Sequence, residues 1–477
     1  MKLSAVSVIL FSLMGAFPAE VKALESPNFI IILSDNQPAW AMRCAGNKII
    51  STPNLDRLAA DGVRLQNAFV TTPICSASRA SIFTGMYRRR HGFTFNTDPF
   101  KAKLAAKSYP ALLKKNGYRT ALIGKFGIES NGQIMVENED QSLELMFDDF
   151  DNFEHWGKSG PKGYFVTDSE GRKKHLTDVT ADKANSFLVQ RSKSDQPFCL
   201  TLSFNAPHAQ DDDERQYIWP VRFDDYYKES IIPEPLNSDR NFFERQPDFL
   251  QSSLGRERWR WRFDTPEKFQ RMMKGMYRMV SGVDDAVGRL RDQLHKLDLA
   301  KNTIIIYSSD NGMFFGERGL SDCWLLYEES IRVPLIVYDP RTIAKTQRGK
   351  VRQEMVLNLD LAPTILDFAM IEEKPPMDGR SIKSLLLGKA GNVWREDFLC
   401  EHLFEHKKIP KSEGIRSKDW KYIRYFEQDP IYEEIYDLKN DPHERNNLSN
   451  DSDYIEKLNS MRDRCDQLLM GIRNGIE

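Results

Sequence analysis

The chain contains 477 residues, of which 40% are hydrophobic and 29% are charged, and its formal net charge is −2 at pH 7. This composition is typical of a soluble globular protein with a substantial core, and the length allows two or three domains or one large α/β body. The small net charge argues against a nucleic-acid partner recruited by bulk charge, so any anion must be bound by a local cluster of basic residues.

The N-terminus has the pattern of a secretory signal peptide. Lys2 precedes an apolar stretch from Leu3 to Phe17, and Val21-Lys22-Ala23 offers a cleavage site with small residues. The stretch is short for a membrane span, and no later segment is apolar enough to be one. We therefore predict a signal peptide over residues 1–23 and an exported mature protein, periplasmic or secreted. A buried first helix is the alternative.

Apolar runs typical of strands buried on both faces of a parallel sheet recur along the chain. They are Phe29–Leu33, Thr120–Ile123, Phe198–Phe204, Thr303–Tyr307 and Pro334–Tyr338. Helical stretches lie between them, including Asn54–Ala60 and a long one over Pro266–Leu297. This alternation predicts an α/β fold with a large, mostly parallel central sheet flanked by helices.

Several of these runs end in polar residues. The strand ends are Asp35-Asn36, Gly124-Lys125, Ala206-Pro207-His208 and Asp310-Asn311. Ligands bind beyond the carboxyl ends of the strands in open parallel sheets, so we expect these ends to share one site.

The pattern changes near Val393. Trp420–Tyr425 and Ile435–Leu438 read as antiparallel strands, and a closing helix runs to Gly471. We therefore predict a main domain over residues 24–391 and a C-terminal subdomain over residues 392–477, built from a small antiparallel sheet and a helix.

Cys75 is the best nucleophile candidate. It opens the segment Cys-Ser-Ala-Ser-Arg, which ends at Arg79, where a loop is expected to enter a helix whose N-terminal amides favour an anion. An ordinary structural cysteine is the alternative reading of this segment. The six cysteines in so long a chain indicate no disulfide framework. They stand at positions 44, 75, 199, 323, 400 and 465.

The segment from Cys75, followed by Thr84-Gly85, resembles the type I sulfatase signature Cys-x-Pro/Ala-Ser-Arg with a following Thr-Gly. In that family a maturation enzyme oxidises the cysteine to Cα-formylglycine. The resemblance continues through Trp420-Lys421-Tyr422-Ile423, which matches the family's Tyr-Lys-Tyr-Ile at three of four positions, and through Tyr436-Asp437-Leu438 to Asn447-Leu448. It implies an alkaline-phosphatase-like fold and a sulfuric ester hydrolase. One hydroxyl of the hydrated aldehyde would attack sulfur and expel the alcohol, and the second would eject sulfate from the sulfated enzyme.

The resemblance also assigns a calcium ion and three sulfate-binding side chains. Calcium accepts hard oxygen ligands, although Asp-Asn and Asn-Gly pairs are also common turns. Arg79 and Lys125 would bind sulfate oxygens, and His208 would contact the bridging oxygen as proton donor or electrostatic aid. The implied metal ligands are Asp35, Asn36, Cys75, Asp310 and Asn311.

The chain departs from the family pattern at three positions. Asn36 stands where a second aspartate is common, Gly127 replaces a histidine that assists the formylglycine hydroxyl, and Cys323 replaces a lysine that touches sulfate. We expect Asn36 to alter the metal affinity, Gly127 to leave the site without that base, and Cys323 to leave it with one cation fewer. Candidates for compensation are Arg90, His91, Glu317, Arg318 and Asp322.

Two basic segments bear on the substrate. Arg256, Arg258, Arg260 and Arg262 alternate with Trp259 and Trp261, so an extended segment would present guanidinium groups on one face and indoles on the other. Arg88-Arg89-Arg90-His91 is a second cluster. Both favour a sulfated polysaccharide or oligosaccharide, although a charged loop anchored by tryptophans fits equally.

Two other functions remain open at this stage. Related folds use the same aldehyde in phosphodiesterases and phosphonate monoester hydrolases. The losses at Gly127 and Cys323 also allow a non-catalytic binder of sulfated glycans.

Overall fold

The computed structural model describes residues 26–130, 133–134, 142–155, 163–168, 170–343, 347–389, 391 and 393–475. The predicted signal peptide, residues 1–23, lies outside the described residues. The strands are β1 (Asn28–Ser34), β2 (Val63–Phe69), β3 (Arg119–Gly124), β4 (Glu129–Ser130), β5 (Gln133–Ile134), β6 (Asp149–Asn152), β7 (Phe165–Thr167), β8 (Lys173–His175), β9 (Phe198–Ser203), β10 (Thr303–Ser309), β11 (Phe314–Phe315), β12 (Ser321–Asp322), β13 (Leu335–Tyr338), β14 (Lys350–Leu357), β15 (Asp397–His402), β16 (Ser412–Ser417), β17 (Trp420–Tyr425) and β18 (Tyr432–Asp437).

The two helices that the sequence predicts between the strands are both present, and the longer one runs to Lys296. They are α1 (Pro53–Asp61), α2 (Cys75–Thr84), α3 (Arg88–His91), α4 (Ala102–Ala105), α5 (Tyr109–Lys115), α6 (Ser142–Met146), α7 (Leu176–Arg191), α8 (Arg240–Glu244), α9 (Asp248–Gln251), α10 (Leu254–Arg262), α11 (Pro266–Lys296), α12 (Glu328–Ile331), α13 (Leu361–Phe368), α14 (Lys383–Leu386) and α15 (Ile455–Asn474). Within the described ranges, no helix has the length and apolarity that crossing a membrane requires.

Eight strands form the central sheet, in the order β14-β2-β13-β10-β1-β9-β3-β6. All neighbours run parallel except the pairs that β13 makes with β10 and β2. The mostly parallel sheet is therefore confirmed. A parallel return needs a long crossover, and residues 310–334, all of which are described, contain no helix longer than α12. The chain accordingly re-enters the sheet from the end at which it left, which makes β13 antiparallel.

The two faces of the sheet carry separate hydrophobic cores. Along β1, Phe29, Ile31 and Leu33 point into one core, and Ile30 and Ile32 point into the other. Helices α2, α5 and α13 cover the first face, and α1, α7 and α11 cover the second. Because both faces are covered, the strand is apolar at every position, which is why it reads as a continuous hydrophobic run.

The C-terminal part forms the predicted small sheet and helix. Strands β15 to β18 are antiparallel neighbours in chain order. One face of this sheet, including Ile415 and Tyr422, packs on α15. The other face, including Ile423 and Tyr436, joins the core of the main body. The boundary between residues 391 and 392 stays a prediction.

Ion pairs tie this sheet to the segment between β12 and β13. Lys421 Nζ on β17 lies 2.9 Å from Glu328 Oε1 and 2.6 Å from Glu444 Oε1, with all three side chains buried or nearly so. The Tyr327 hydroxyl donates to Glu434 Oε2 on β18 at 2.8 Å. The segment that leads from the end of β10 back into the sheet is therefore held in place by the last strands of the chain.

Candidate active site

The ends of β1 and β10 bring four polar side chains together. These strands are parallel neighbours with Ser34 opposite Ser309, so Asp35 and Asp310 emerge side by side. The Asn36 backbone N–H donates to Asp310 Oδ1 at 3.1 Å, and Asn311 Nδ2 donates to Asn36 Oδ1 at 2.5 Å. All four side chains are buried. Asn311 Oδ1 is buried without a hydrogen-bond partner anywhere in the described part of the chain.

Cys75 is the first residue of α2, as the sequence predicts, and it points at this cluster. Its Sγ lies 3.4 Å from Asp35 Oδ1 and 3.8 Å from Asn36 Oδ1. The helix is anchored because the Ser78 hydroxyl donates to the Asp310 carbonyl and accepts a 3.0 Å hydrogen bond from Asn358 Nδ2. Burial, with Asp310 and Asp35 nearby, raises the pKa of the Cys75 thiol well above its ordinary value.

Two buried cations balance the two carboxylates. Arg79 Nε lies 2.9 Å from Asp310 Oδ2, and Lys125 Nζ lies 2.5 Å from Asp35 Oδ2. Although burial disfavours its charge, Lys125 and Arg79 hold the pKa of Asp35 below its ordinary value. Arg79 Nη1 also donates to the Lys125 carbonyl and to Ser203 Oγ, at 2.9 and 2.6 Å. Its Nη2 is buried and finds no acceptor among the described residues.

His208 closes the site from the end of β9. A ring nitrogen of His208, Cys75 Sγ and an Asp35 carboxylate oxygen all lie within 4.8 Å of one another. His208 Nδ1 donates to the Ala209 carbonyl at 2.6 Å. Burial, reinforced by the charge of Lys125, lowers the pKa of His208 to about 3, so its ring is neutral at pH 7. The predicted strand ends therefore do meet at one site.

His155 is a neighbour that the sequence analysis missed. Its ring lies 5.0 Å from the His208 ring and stacks on Tyr164 at 4.9 Å. It follows β6, an edge strand whose residues Asp149–Asn152 are half-buried. The strand-end rule would have found His155, but β6 gives no apolar run from which to apply it.

Gly127 leaves no room for the histidine side chain that the resemblance implies at this position. Its φ is +69°, and an added Cβ would lie 2.6 Å from Arg79 Cδ and 3.2 Å from Lys125 Cε. Both the backbone conformation and the packing of the two cations therefore require glycine.

Cys323 lies in the wall of the site without a charge. Its side chain is buried, and burial together with Asp322 and Asp310 raises its pKa well above the ordinary value. The residues on either side have positive φ, +71° at Asp322 and +80° at Trp324. Such strain in residues other than glycine occurs where the surrounding contacts fix a loop.

Most of the proposed compensating residues are engaged elsewhere. His91 Nε2 lies 3.1 Å from Ser81 Oγ, and Arg90 pairs with Asp378 at 2.7 Å. Arg318 stacks on the Tyr327 ring at 3.6 Å. Glu317 Oε2 accepts the Phe315 backbone N–H. Only Asp322 adjoins the site directly, next to Cys323.

Two arginines of the basic cluster on α3 are paired with carboxylates, and those of Arg89 lie on the C-terminal sheet. Arg89 Nε lies 2.5 Å from Glu401 Oε2, and Arg89 also pairs with Glu413. Arg90 pairs with Asp378. This cluster therefore docks α3 onto the small sheet, and the sequence could not reveal partners about 300 residues away in the chain.

The segment predicted to be extended with arginines and tryptophans on opposite faces is instead the helix α10. Ser253 caps it by accepting the Arg256 backbone N–H, and its arginines and glutamate favour a helix. Residues four apart then share a face, so Arg258 and Arg262 lie together. Arg256 stacks on Trp259 at 3.7 Å. The alternating-face prediction was wrong because it assumed a period of two residues.

Arg258 and Arg262 join the site through two aspartates. Arg258 Nη1 lies 2.8 Å from Asp322 Oδ2, and Nη2 lies 2.7 Å from Asp211 Oδ2. Arg262, which is fully buried, pairs with the same two carboxylates. Asp211 is on the loop of His208, and Asp322 precedes Cys323.

The family model described as Sulfatase matches residues 27–371, well over half of the chain. The chain belongs to the sulfatase family. A second sulfatase model, for the C-terminal part of N-sulphoglucosamine sulphohydrolase, matches residues 316–470. As a sulfatase, the protein is a sulfuric ester hydrolase, as the sequence predicts.

Among sulfatases, an N-acetylglucosamine-6-O-sulfatase of Bacteroides thetaiotaomicron is 30% identical over 90% of this chain and 84% of its own length. An arylsulfatase of Clostridium perfringens is 28% identical over 91% of this chain and 93% of its length. A structure solved with D-glucosamine-2-N,6-O-disulfate has a TM-score of 0.77 at 27% identity and covers 94% of this chain and 99% of its own. These likenesses confirm the alkaline-phosphatase-like fold.

Proposed function

We propose that this sulfatase hydrolyses sulfate esters on a sulfated oligosaccharide or polysaccharide, with residue 75 converted to formylglycine and with one calcium ion at the site. The observation that carries the proposal is a pair of unsatisfied groups of opposite hydrogen-bonding character among the proposed site residues. Within the described ranges, Arg79 Nη2 is a buried donor without an acceptor, and Asn311 Oδ1 is a buried acceptor without a donor. An anion and a cation bound together would satisfy both.

The donor set around Asn311 fits calcium. Carboxylate and amide oxygens are the ligands that calcium prefers, and the site offers two of each, with an oxygen of Asp35 at 3.4 Å and one of Asn36 at 3.8 Å from Cys75 Sγ. Asp35, Asn36, Asp310 and Asn311 would hold the ion together with residue 75. When bound, calcium would orient a sulfate oxygen and offset negative charge.

The position of residue 75 suits a nucleophile. It begins a helix, so N-terminal amides of α2 favour an anion there, and it lies among the acids, cations and histidine of the site. Oxidation by a maturation enzyme would give it an aldehyde whose hydrate supplies the attacking hydroxyl group.

Three side chains would act on the sulfate. Arg79, held by Asp310 and Ser203, presents its unused Nη2 as a fixed donor to a sulfate oxygen. Lys125 supplies a second fixed positive charge. His208 lies beside residue 75, and because its Nδ1 proton is donated to the Ala209 carbonyl, it would need a second proton at its other ring nitrogen to donate to the leaving oxygen.

A sugar substrate is supported by the relatives and by the surface beside the site. The N-acetylglucosamine-6-O-sulfatase and the structure solved with a disulfated glucosamine both act on or bind sulfated amino sugars by their names. In this chain Trp261 is 39% exposed on α10, and an exposed indole can pack against a sugar ring.

We also propose export. Lys2, the apolar stretch that follows and the small residues before Leu24 support a signal peptide, and a relative in Drosophila melanogaster is named an extracellular sulfatase. N-terminal sequencing of the protein recovered outside the cytoplasm tests this: a first residue near Leu24 is expected, and an intact Met1 would contradict it.

The test of function is inorganic sulfate release from a panel of sulfated glycans by protein co-expressed with a maturation enzyme. We expect release by the wild type, with an aldehyde at residue 75 confirmed by peptide mass. Cys75→Ala should abolish release and leave the thermal unfolding unchanged. Cys44→Ala, which changes a thiol outside the site, should retain activity.

Two outcomes would replace the proposal. Faster cleavage of matched phosphate diesters or phosphonate monoesters would favour the phosphorus chemistry of the phosphonate monoester hydrolase of Agrobacterium radiobacter, which shares the fold at a TM-score of 0.75 and 21% identity. Glycan binding without any release, with the aldehyde present, would indicate a non-catalytic binder.

A further inference from the structure

The group formed by Arg258, Arg262, Asp211 and Asp322 is electrically neutral. It contains two guanidinium groups and two carboxylates, and each guanidinium pairs with both carboxylates. A neutral arginine and aspartate group offers no net attraction to a further anion. It does offer charged donors and acceptors side by side, which is the arrangement that hydroxyl groups satisfy because each one donates and accepts.

This group has an outer and an inner layer. The side chains of Arg258 and Asp211 are 19% and 13% exposed, whereas Arg262 is fully buried and Asp322 nearly so. Arg258 and Asp211 are therefore the accessible pair, and the inner pair holds them in place. Arg258 Nε is buried and has no acceptor among the residues that the structure describes.

Two indoles stand beside Arg258. Its guanidinium lies 5.8 Å from the Trp261 ring and 5.1 Å from the Trp324 ring. Trp261 is exposed, and Trp324 is held at a positive φ in the loop of Cys323. Indole faces beside polar groups that fix orientation are typical of sites for sugars and other small polar ligands.

The location ties this surface to the reacting ester. Asp211 follows His208 by three residues, and Asp322 and Trp324 flank Cys323. His208 in turn lies within 4.8 Å of Cys75. The surface therefore adjoins the side of the site from which the alcohol would leave.

We propose that Arg258, Asp211, Trp261 and Trp324 form a subsite for the uncharged hydroxyl groups of the sugar that bears the ester, and not for a second sulfate. This inference rests on the proposed function. The sugar ring packs on the indoles, Arg258 donates to ring hydroxyls, and Asp211 accepts from them. The arginines of α10 thus select the sugar by its hydroxyl pattern.

The test uses two probes that differ by one sulfate, glucosamine 6-sulfate and glucosamine 2-N,6-O-disulfate, and measures binding by calorimetry in the Cys75→Ala protein. Adding Arg258→Gln should weaken both by a similar factor of about 10- to 100-fold, the size of a lost hydrogen bond from a charged group. Trp261→Ala should weaken both by about 2- to 10-fold. Arg260→Gln, an exposed position on the same helix, is the matched control and should leave both unchanged.

Three results would overturn the inference. They are a loss confined to the disulfate, which would mean that Arg258 binds a second anion; no effect of Arg258→Gln and Trp261→Ala; and no binding of either sugar. If Arg258→Gln fails to fold, Trp261→Ala still decides, because its indole is on the surface. Failure of the proposed function looks different: wild-type protein with the aldehyde confirmed would release no sulfate from either sugar.

Discussion

Replacing Gly127 by the histidine that the sulfatase signature implies at this position should damage this enzyme. The residue has φ +69°, and an added Cβ would lie 2.6 Å from Arg79 Cδ. Carbon atoms pack at about 3.5 Å or more, so the overlap is close to 1 Å. Arg79 must then move away from Asp310, with which it pairs at 2.9 Å.

The cost can be divided between backbone and packing. A residue with a Cβ in the left-handed region costs about 1 kcal/mol, and forced overpacking adds about 1–3 kcal/mol. We therefore expect Gly127→Ala to lower the free energy of unfolding by about 2–4 kcal/mol. Gly127→His should cost at least as much, and displacement of Arg79 by about 1 Å should reduce kcat/KM by roughly 100-fold.

Gly92 provides the matched control. Its φ is +70°, and nothing lies within 4 Å of an added Cβ. Chemical denaturation of Gly92→Ala should report the backbone cost alone, about 1 kcal/mol. The reasoning is refuted if Gly127→Ala is no less stable than Gly92→Ala, or if Gly127→His releases sulfate faster than the wild type.

Three further predictions concern the metal, a buried carboxyl group and the inner arginine of the α10 subsite. Asn36→Asp adds a carboxylate to the proposed calcium ligands, so calcium should raise its Tm more than that of the wild type; an equal rise would count against the ligand set. Burial raises the pKa of Glu434 to about 7 from an ordinary 4.5, so folding stability should fall by up to about 3 kcal/mol as pH rises from about 4.5 to 7. Glu434→Gln should flatten that part of the pH profile, and an unchanged slope would contradict the assignment. Arg262→Met leaves two buried carboxylates short of a cation and should cost about 3–5 kcal/mol in denaturation, whereas Arg260→Met should cost nothing measurable.

The sequence predicted the central sheet and the meeting of its strand ends because those signals are local. Phe29 and Ile30 face opposite cores, so β1 had to be apolar throughout, and polar residues directly after it had to lie at the sheet edge. Asp35 and Asp310 then became neighbours through one strand pairing.

The features that the sequence did not predict involve partners far away in the chain, a segment to which a two-residue period was wrongly assigned, and an edge strand with a weak hydrophobic pattern. The positive charge of Arg89 is paired with Glu401 and Glu413, which only the folded chain brings near. The alternation of arginine and tryptophan fits a strand as well as a helix, and the N-cap at Ser253 stabilises the helix. His155 follows a half-buried edge strand that gives no hydrophobic signal.

The anchoring of the segment between β10 and β13 bears on when the enzyme becomes complete during synthesis. Asp35 emerges early from the ribosome, yet the segment that carries Cys323 is fastened by Lys421, Glu434 and Glu444. Until those last residues have been translated, Tyr327 and Glu328, which follow Cys323 in this segment, lack the C-terminal partners that hold them. A chain truncated before Lys421 would therefore keep every residue to which we assign a catalytic role and still lack a finished site.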